Sequence, residues 1–337
     1  MRRFFQFLSV MFAFVWMTSC NSNKSAYQFN EGYIFGTIYH VVYESPDGKD
    51  LKDQIEKRMH EFDFSLSTYN PQSVISRVNT NDTSVVLDPY FLKVFNKGKE
   101  VSEITDGAFD MTVAPLVNAW GFGFKNKLDP DQIPVDSLLQ VVGYQKVQLI
   151  DGKIVKKDPR IMLDASAIAK GYSVDVVADL LESLQVKNYM VEIGGEIRVK
   201  GVSSKSRPWR VGIDKPIDDP TLAQREIQDI LELSKGALAT SGNYRNFYIK
   251  DGKKYAHTID PKSGYPVQHS LLSSSVVAPD CMTADAYATA FMVLGVEKSI
   301  KVVEADPNLE AYFIYTDEKG EYKTFATPKM QELIQKK

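Results

Sequence analysis

Apolar spacing switches repeatedly along this chain, and the alternation restricts it to a fold that contains both helices and sheets. Leu51, Ile55, Met59, Phe62 and Leu66 recur at intervals of three or four, which predicts a helix over residues 51–64 with one buried face. Phe91, Phe95, Val101 and Ile104 predict a second helix, stopped by Asp106-Gly107. Ile168, Tyr172, Val176, Leu180 and Leu184 fall every fourth residue on a helix that begins near Ser166. Elsewhere the chain turns β-branched and aromatic. Strands are expected at residues 33–43, 189–193, 197–202, 209–213, 237–241, 247–250, 255–259 and 274–278, with turns at Ser45-Pro46-Asp47-Gly48 and Asp251-Gly252. Two more helices are expected at 283–294, ended by Gly295, and at 297–304. Together these predict an α+β class with mixed and antiparallel sheets and packed helices. At 337 residues the chain exceeds one ordinary core, so one large or two closely fused lobes are expected.

The first twenty residues have a different character. Arg2 and Arg3 precede an apolar run from Phe4 to Trp16, and Met17-Thr18-Ser19 leads to Cys20. A charged start, a short apolar run and a small-residue boundary form an export signal, and the run is short of the roughly 20 residues a spanning helix needs. The cysteine at the boundary resembles a bacterial lipoprotein signal, although Met17 and Thr18 depart from its usual Leu and small residue. Residues 1–19 are thus expected as a signal peptide, Cys20 as the lipidation site, and 20–30 as a polar tether to a folded body over 31–337. The chain would be exported and lipid-anchored to a bacterial cell membrane, facing the periplasm or the exterior. An uncleaved N-terminal anchor is the alternative, and it keeps the body on the same side. Cys281 is the other cysteine, so disulfides do not build the fold. It is expected to pack as a small apolar residue.

A formal net charge of −3 provides no broad basic field, so nucleic acid is not an expected partner. Neither a Rossmann nor a P-loop fingerprint occurs. Other phrases carry glycine, hydroxyl and acidic residues instead. They begin with Ser67-Thr68-Tyr69-Asn70-Pro71, followed by Ser73 and Asn79, and Asp106-Gly107-Ala108-Phe109-Asp110-Met111-Thr112, followed by Trp120-Gly121-Phe122-Gly123. Next come the stretch from Leu163-Asp164 through Ala167 to Lys170-Gly171-Tyr172, and Gly194-Gly195-Glu196. Last are Ala239-Thr240-Ser241-Gly242, His257-Thr258-Ile259-Asp260-Pro261 and Ala284-Asp285-Ala286-Tyr287-Ala288-Thr289.

Each phrase has a physical reading. Asp285 and Thr289, at i and i+4, share a helix face and can offer a carboxylate and a hydroxyl to one hard cation. Spacing alone favours the plainer alternative of an Asp at a helix start with Thr bonded back to the chain. Lys170 follows Asp164 near a helix N-terminus, where free N–H groups and the dipole favour anions, but a surface lysine there is ordinary. Phe109 and Tyr69, by composition, are more often core residues than ligand contacts. His257 is one of four histidines. A lone histidine is more often structural, but a neutral imidazole in this loop-forming phrase can accept a hydroxyl proton near pH 7. Trp120 is expected to pack.

In this order, from about Phe35 to Gly295, the phrases resemble the ApbE family of FAD:protein FMN transferases, long labelled thiamine-biosynthesis lipoproteins. The resemblance implies a T-fold-related, two-lobed architecture. It assigns FAD contacts to Phe35, Tyr69, Ala108, Phe109, Asp110, Asp164, Lys170 and Ile259, and Phe35 stands where the family usually has Met. It assigns Mg²⁺ to the Ala167 carbonyl, Asp285 and Thr289, and catalytic roles to His257 and Asp285. The implied reaction moves FMN from FAD to a Thr or Ser hydroxyl of an exported acceptor flavoprotein, such as a membrane redox-complex subunit, and releases AMP. Two rivals are an FAD pyrophosphatase that gives FMN and AMP, and a lipoprotein that binds FAD without chemistry.

Overall fold

The structure is a computed structural model and describes residues 26–123, 128–217, 226–244, 247–250 and 253–335. The expected signal peptide, Cys20 and the Asp251-Gly252 turn lie outside the described residues. Among the described residues no helix is long and apolar enough to cross a membrane.

The chain opens with a hairpin of β1 (Ala26–Ile34) and β2 (Thr37–Ser45), turned by Phe35 and Gly36, both at positive φ (53° and 75°). A two-residue turn of this hand matches the twist of the paired strands. Sequence reading had placed one strand across this turn and a tether over residues 20–30. Residues 26–30 instead form the first half of β1, where Asn30 is buried and donates to Asp50 Oδ1 at 2.8 Å. Phe-Gly is not a usual hairpin signal, and the polar residues of β1 conceal its pairing.

Next come the helices α1 (Lys52–Leu66), α2 (Val74–Asn79), α3 (Pro89–Ile104), α4 (Ala114–Trp120) and α5 (Val135–Leu139). The short hairpin of β3 (Val147–Ile150) and β4 (Lys153–Lys156) leads to α6 (Ala169–Ser183), then to β5 (Tyr189–Ile193) and β6 (Glu196–Lys200). Two antiparallel pairs follow in the chain: β7 (Trp209–Asp214) with β8 (Ile227–Leu233), and, after β9 (Lys235–Gly242), β10 (Phe247–Lys250) with β11 (Lys253–Ala256). The chain ends with β12 (Leu271–Ala278), α7 (Cys281–Leu294), α8 (Val296–Ala305), β13 (Glu310–Thr316), β14 (Tyr322–Ala326) and α9 (Pro328–Leu333).

Eight strands form one sheet in the order β1-β2-β5-β6-β9-β12-β13-β14, and its pairings are antiparallel. Alternation along the strands separates its two faces. Tyr39, Val41 and Tyr43 of β2 meet Ile55 and Met59 of α1 and Val174 and Val177 of α6 on one side. On the other, Val199, Leu238 and Tyr312 pack beneath β7–β8 through Trp209, Val211 and Leu231. The fold is therefore α+β, a sheet between a helical layer and a small β layer. α7 is buried on nearly every side, with 11 of its 14 residues buried. Its alanines let it lie close against β9, β12 and α6, as expected of a helix enclosed on all sides.

Candidate active site

A cleft of about 700 Å³ opens beside α6 and α7. That is within the roughly 300–1,000 Å³ usual for small-molecule sites. Its walls gather every sequence-assigned site residue that the structure describes: Phe35, Tyr69, Ala108, Phe109, Asp110, Asp164, Ala167, Lys170, His257, Ile259, Asp285 and Thr289.

One wall is held by polar pins. Asn79 at the end of α2 both donates to the Leu163 carbonyl (2.8 Å) and accepts from the Leu163 N–H (2.7 Å). That fixes the loop carrying Asp164, whose Oδ1 accepts from the Ser166 N–H at 2.7 Å. Ser73 caps α2 and donates to the Ser67 carbonyl at 2.6 Å, shaping the loop that presents Tyr69. Tyr69 is 77% exposed at the mouth, whereas Ala108 and Phe109 are buried in the wall. Asp110 is also buried, and both carboxylate oxygens serve the protein. Oδ1 accepts from the N–H and hydroxyl of Thr112 (2.7 Å each) and Oδ2 from the Tyr144 N–H (2.7 Å). Burial still pushes its carboxyl above the usual range, against those hydrogen bonds. Phe35, in the left-handed turn, sets its ring edge-on to Phe62 at 5.7 Å. A bulky residue at positive φ is strained, and such strain concentrates at functional sites.

The charged cluster is built where α6 meets α7. α6 starts at Ala169, three residues later than its periodicity suggested, so Ala167 precedes the helix. Gly171, whose N–H would close a turn onto the Ala167 carbonyl, donates instead to Asp285 Oδ2 at 2.9 Å. The Ala167 carbonyl is thereby left out of the helix ladder among the described residues. Gly171 also permits the approach itself: a β-carbon there would lie 2.2 Å from the Cys281 carbonyl oxygen and 2.6 Å from Asp285 Cβ. Asp285 is the fifth residue of α7, and Asp280 is the N-cap, accepting from the Thr283 N–H at 2.8 Å. Thr289 turns its hydroxyl to Ser241 Oγ on β9 at 3.2 Å. The plainer alternative for this pair, a helix-start Asp with a back-bonded Thr, is therefore not what the helix contains.

Lys170 reaches across to Glu196 Oε2 at 2.7 Å. Burial works against the Lys170 charge, but Glu196 and Asp285 outweigh it and hold its ammonium above the ordinary value. Burial likewise pushes Glu196 up to about 7 and raises Asp285, in each case against the pull of Lys170. Sequence reading left the role of Glu196 open. The Gly194-Gly195 pair just ahead of it was the available signal, and Gly194 does stand at φ +61°.

His257 and Ile259 were expected on a strand, but β11 ends at Ala256 and both occupy the loop that follows. That loop is closed by the Ile259–Pro266 bridge, by Val267 N–H to the Thr258 carbonyl (3.0 Å) and by Thr258 Oγ1 donating to Asn243 (2.8 Å). The His257 ring sits edge-on to Phe122 at 6.3 Å. Trp120 packs as expected, donating from Nε1 to the Gly264 carbonyl at 2.8 Å. Cys281 is fully buried, and burial pushes its thiol well up, as an inert packing residue requires.

No group of three His, Cys, Asp or Glu side chains among the described residues can hold a metal ion. The donors at hand are a stranded carbonyl, one carboxylate and one hydroxyl, all hard oxygens. Such a set fits Mg²⁺, which keeps waters and substrate phosphates in its shell, better than it fits zinc.

The sequence model of the ApbE family matches residues 35–313. A curated FAD:protein FMN transferase from Vibrio cholerae is 39% identical over 316 residues, covering 90% of this chain and 92% of the relative. Two solved structures share the fold. The flavin transferase ApbE from Vibrio cholerae aligns with a TM-score of 0.81 at 35% identity, covering 92% of this chain and 100% of that one. The apo flavinyl transferase ApbE of Pseudomonas stutzeri aligns at 0.80 and 32% identity, covering 92% and 97%. By sequence over most of its length, and by fold, the chain belongs to the ApbE family.

Proposed function

We propose that this protein transfers the FMN moiety of FAD to a Ser or Thr hydroxyl of an acceptor flavoprotein with the help of Mg²⁺, and that it does so as an exported, lipid-anchored enzyme. The observation that carries this is the stranded carbonyl of Ala167, a residue that lines the same cleft as Asp285 and Thr289. A helix start that gives up its own hydrogen bond to a neighbouring helix has an oxygen to offer a cation.

FAD occupies the cleft with its pyrophosphate toward α6 and α7, where Lys170 supplies positive charge. Tyr69, Phe35 and the buried wall at Ala108 and Phe109 flank the flavin end. Asp110 shapes that wall through its hydrogen bonds, and Asp164 and Ile259 border the nucleotide. The acceptor hydroxyl attacks the FMN-side phosphorus, a new P–O bond forms, the bond to the AMP phosphate breaks, and His257 takes the hydroxyl proton. The Ala167 carbonyl, Asp285 and Thr289 would hold Mg²⁺, which would supply charge neutralisation to the pyrophosphate and to the departing AMP. Asp285 is buried beside Lys170 and fixed by the Gly171 N–H, so it is already oriented to receive a cation.

The test is chromatography of nucleotides after incubation with FAD and Mg²⁺, with and without a candidate acceptor. AMP release that depends on acceptor is expected from the parent protein, and Asp285→Ala should lose it by at least about 100-fold, as removal of one transition-state-stabilising group does. AMP release without acceptor at the same rate would show a hydrolase, and intact FAD throughout would show a binding protein. Full activity in Asp285→Ala would remove the cation site.

A further inference from the structure

α6 and α7 are tied twice. The first tie is the Gly171 N–H to Asp285 Oδ2. The second lies one turn further along α6, where Asp175 is 2% exposed. Its Oδ1 accepts from the Cys281 N–H at 2.9 Å and its Oδ2 from the Met282 N–H at 2.8 Å. These N–H groups belong to the first turn of α7, where a helix has no internal acceptor for them. Arg198 on β6 donates to the same carboxylate at 2.9 Å and extends to Asp179 (3.1 Å) and Glu182 (3.4 Å) on α6.

The two ties run in opposite directions along the helices: residue 171 meets 285, and residue 175 meets 281 and 282. Together they fix both the sliding and the rotation of α7 against α6. One further turn in the same register sets Thr289 on α7 beyond Asp285 and Ala167 ahead of Gly171. A helix held at a single point could pivot, whereas one held at two points a turn apart cannot.

We infer that Asp175 is a positioning residue for the reaction: by gripping the N-terminus of α7 it sets the register that brings Asp285 and Thr289 to the Ala167 carbonyl. This rests on the proposal that those three groups hold the divalent cation. Asp175 touches neither FAD nor cation, and it acts through the placement of α7. Outer partners that orient metal ligands commonly cost about 10- to 100-fold in metal affinity when removed.

The experiment compares the full-length parent with Asp175→Ala, Asp175→Asn and Arg198→Gln at a temperature where each is folded. Mg²⁺ is titrated calorimetrically into the FAD-bound protein, FAD binding without metal is read from flavin fluorescence, and the Mg²⁺ half-saturation of AMP release is measured separately from kcat. Asp175→Ala is expected to weaken Mg²⁺ binding about 10- to 100-fold in both titrations and to change metal-free FAD binding by no more than about twofold. Asp175→Asn retains one acceptor oxygen and should fall between the parent and Asp175→Ala. Should Asp175→Ala fail to fold, the Asn variant carries the test. Arg198→Gln leaves both N–H ties in place and should stay within about threefold of the parent. Unchanged Mg²⁺ binding in Asp175→Ala or Asp175→Asn, or an Arg198→Gln effect as large as that of Asp175→Ala, would overturn the inference. A parent protein with no calorimetric response to Mg²⁺ would instead overturn the cation site beneath it.

Discussion

Glu196 illustrates how one side chain can tie the chemistry of the cleft to the stability of the fold. It is 3% exposed, paired with Lys170, and pushed up to about 7 by burial, while an unfolded Glu titrates near 4.3. Between those values the folded chain retains a proton that the unfolded chain has released. The native state then binds more protons, so this group's contribution falls as pH rises through that window and is level above it. Glu196→Gln mimics the protonated form. Its melting temperature relative to the parent, measured without metal, should therefore move in the variant's favour from pH 5 to pH 8; a difference that is flat or moves the other way would contradict the assignment. At this scale the sequence identified much of what lines the cleft, because chemistry-bearing residues recur in fixed phrases. It could not separate contact from support. Asp110 was expected at the flavin and lines the cleft, and its carboxylate also accepts from Thr112 and Tyr144, a supporting role that spacing did not show. Asn79 stood in a phrase without a role, and it pins the Asp164 loop through Leu163. Such roles depend on which groups meet across 84 residues of chain, and spacing carries no trace of that.

The elements with strong period were legible. α1, α6 and α7 each formed within three residues of the expected start, and α3 spans the residues expected of it, since an amphipathic or enclosed helix states its length in its apolar pattern. Others were not read at all. β13 (Glu310–Thr316) is built on a short buried run, Ala311 to Ile314, and such runs do not distinguish strand from helix. β8 carries Gln228, Asp229 and Glu232 and is recognisable as a strand only through its partner β7. The hairpin of β3 and β4 offers four residues a side, too few to show a period. α7 is the element on which the others depend. Phe291 is fully buried between Tyr287 (5.7 Å) and Phe313 of β13 (5.6 Å). Phe291→Ala should destabilise the protein by about 3–5 kcal/mol in denaturant unfolding, the usual cost of emptying so large a volume. A loss below about 1 kcal/mol would mean that the α7–β13 contact is looser than described.

For the molecule as a whole, the cleft lies where separate cores meet. Phe62, Leu66 and Phe109 belong to the core around α3 and α7, whereas Ile259 belongs with Leu116, Trp120, Val135 and Val142. The three donors proposed for the cation sit on α7 and just ahead of α6, which pack into the first core, and the His257 loop leads into the second. That arrangement suits the proposed transfer: the dinucleotide would lie between the two, and the exposed Tyr69 marks the edge of the cleft at which an acceptor hydroxyl would enter. The composition, 44% hydrophobic with little net charge, announced a sizeable interior but not the seam within it. The most direct test of this account is the intact mass of an exported acceptor flavoprotein after incubation with FAD, Mg²⁺ and the full-length protein. The expected result is one FMN added through a Ser or Thr phosphoester, with an equal amount of AMP, and neither product when a chelator is present. An acceptor of unchanged mass beside consumed FAD, or full modification in the chelator, would contradict it.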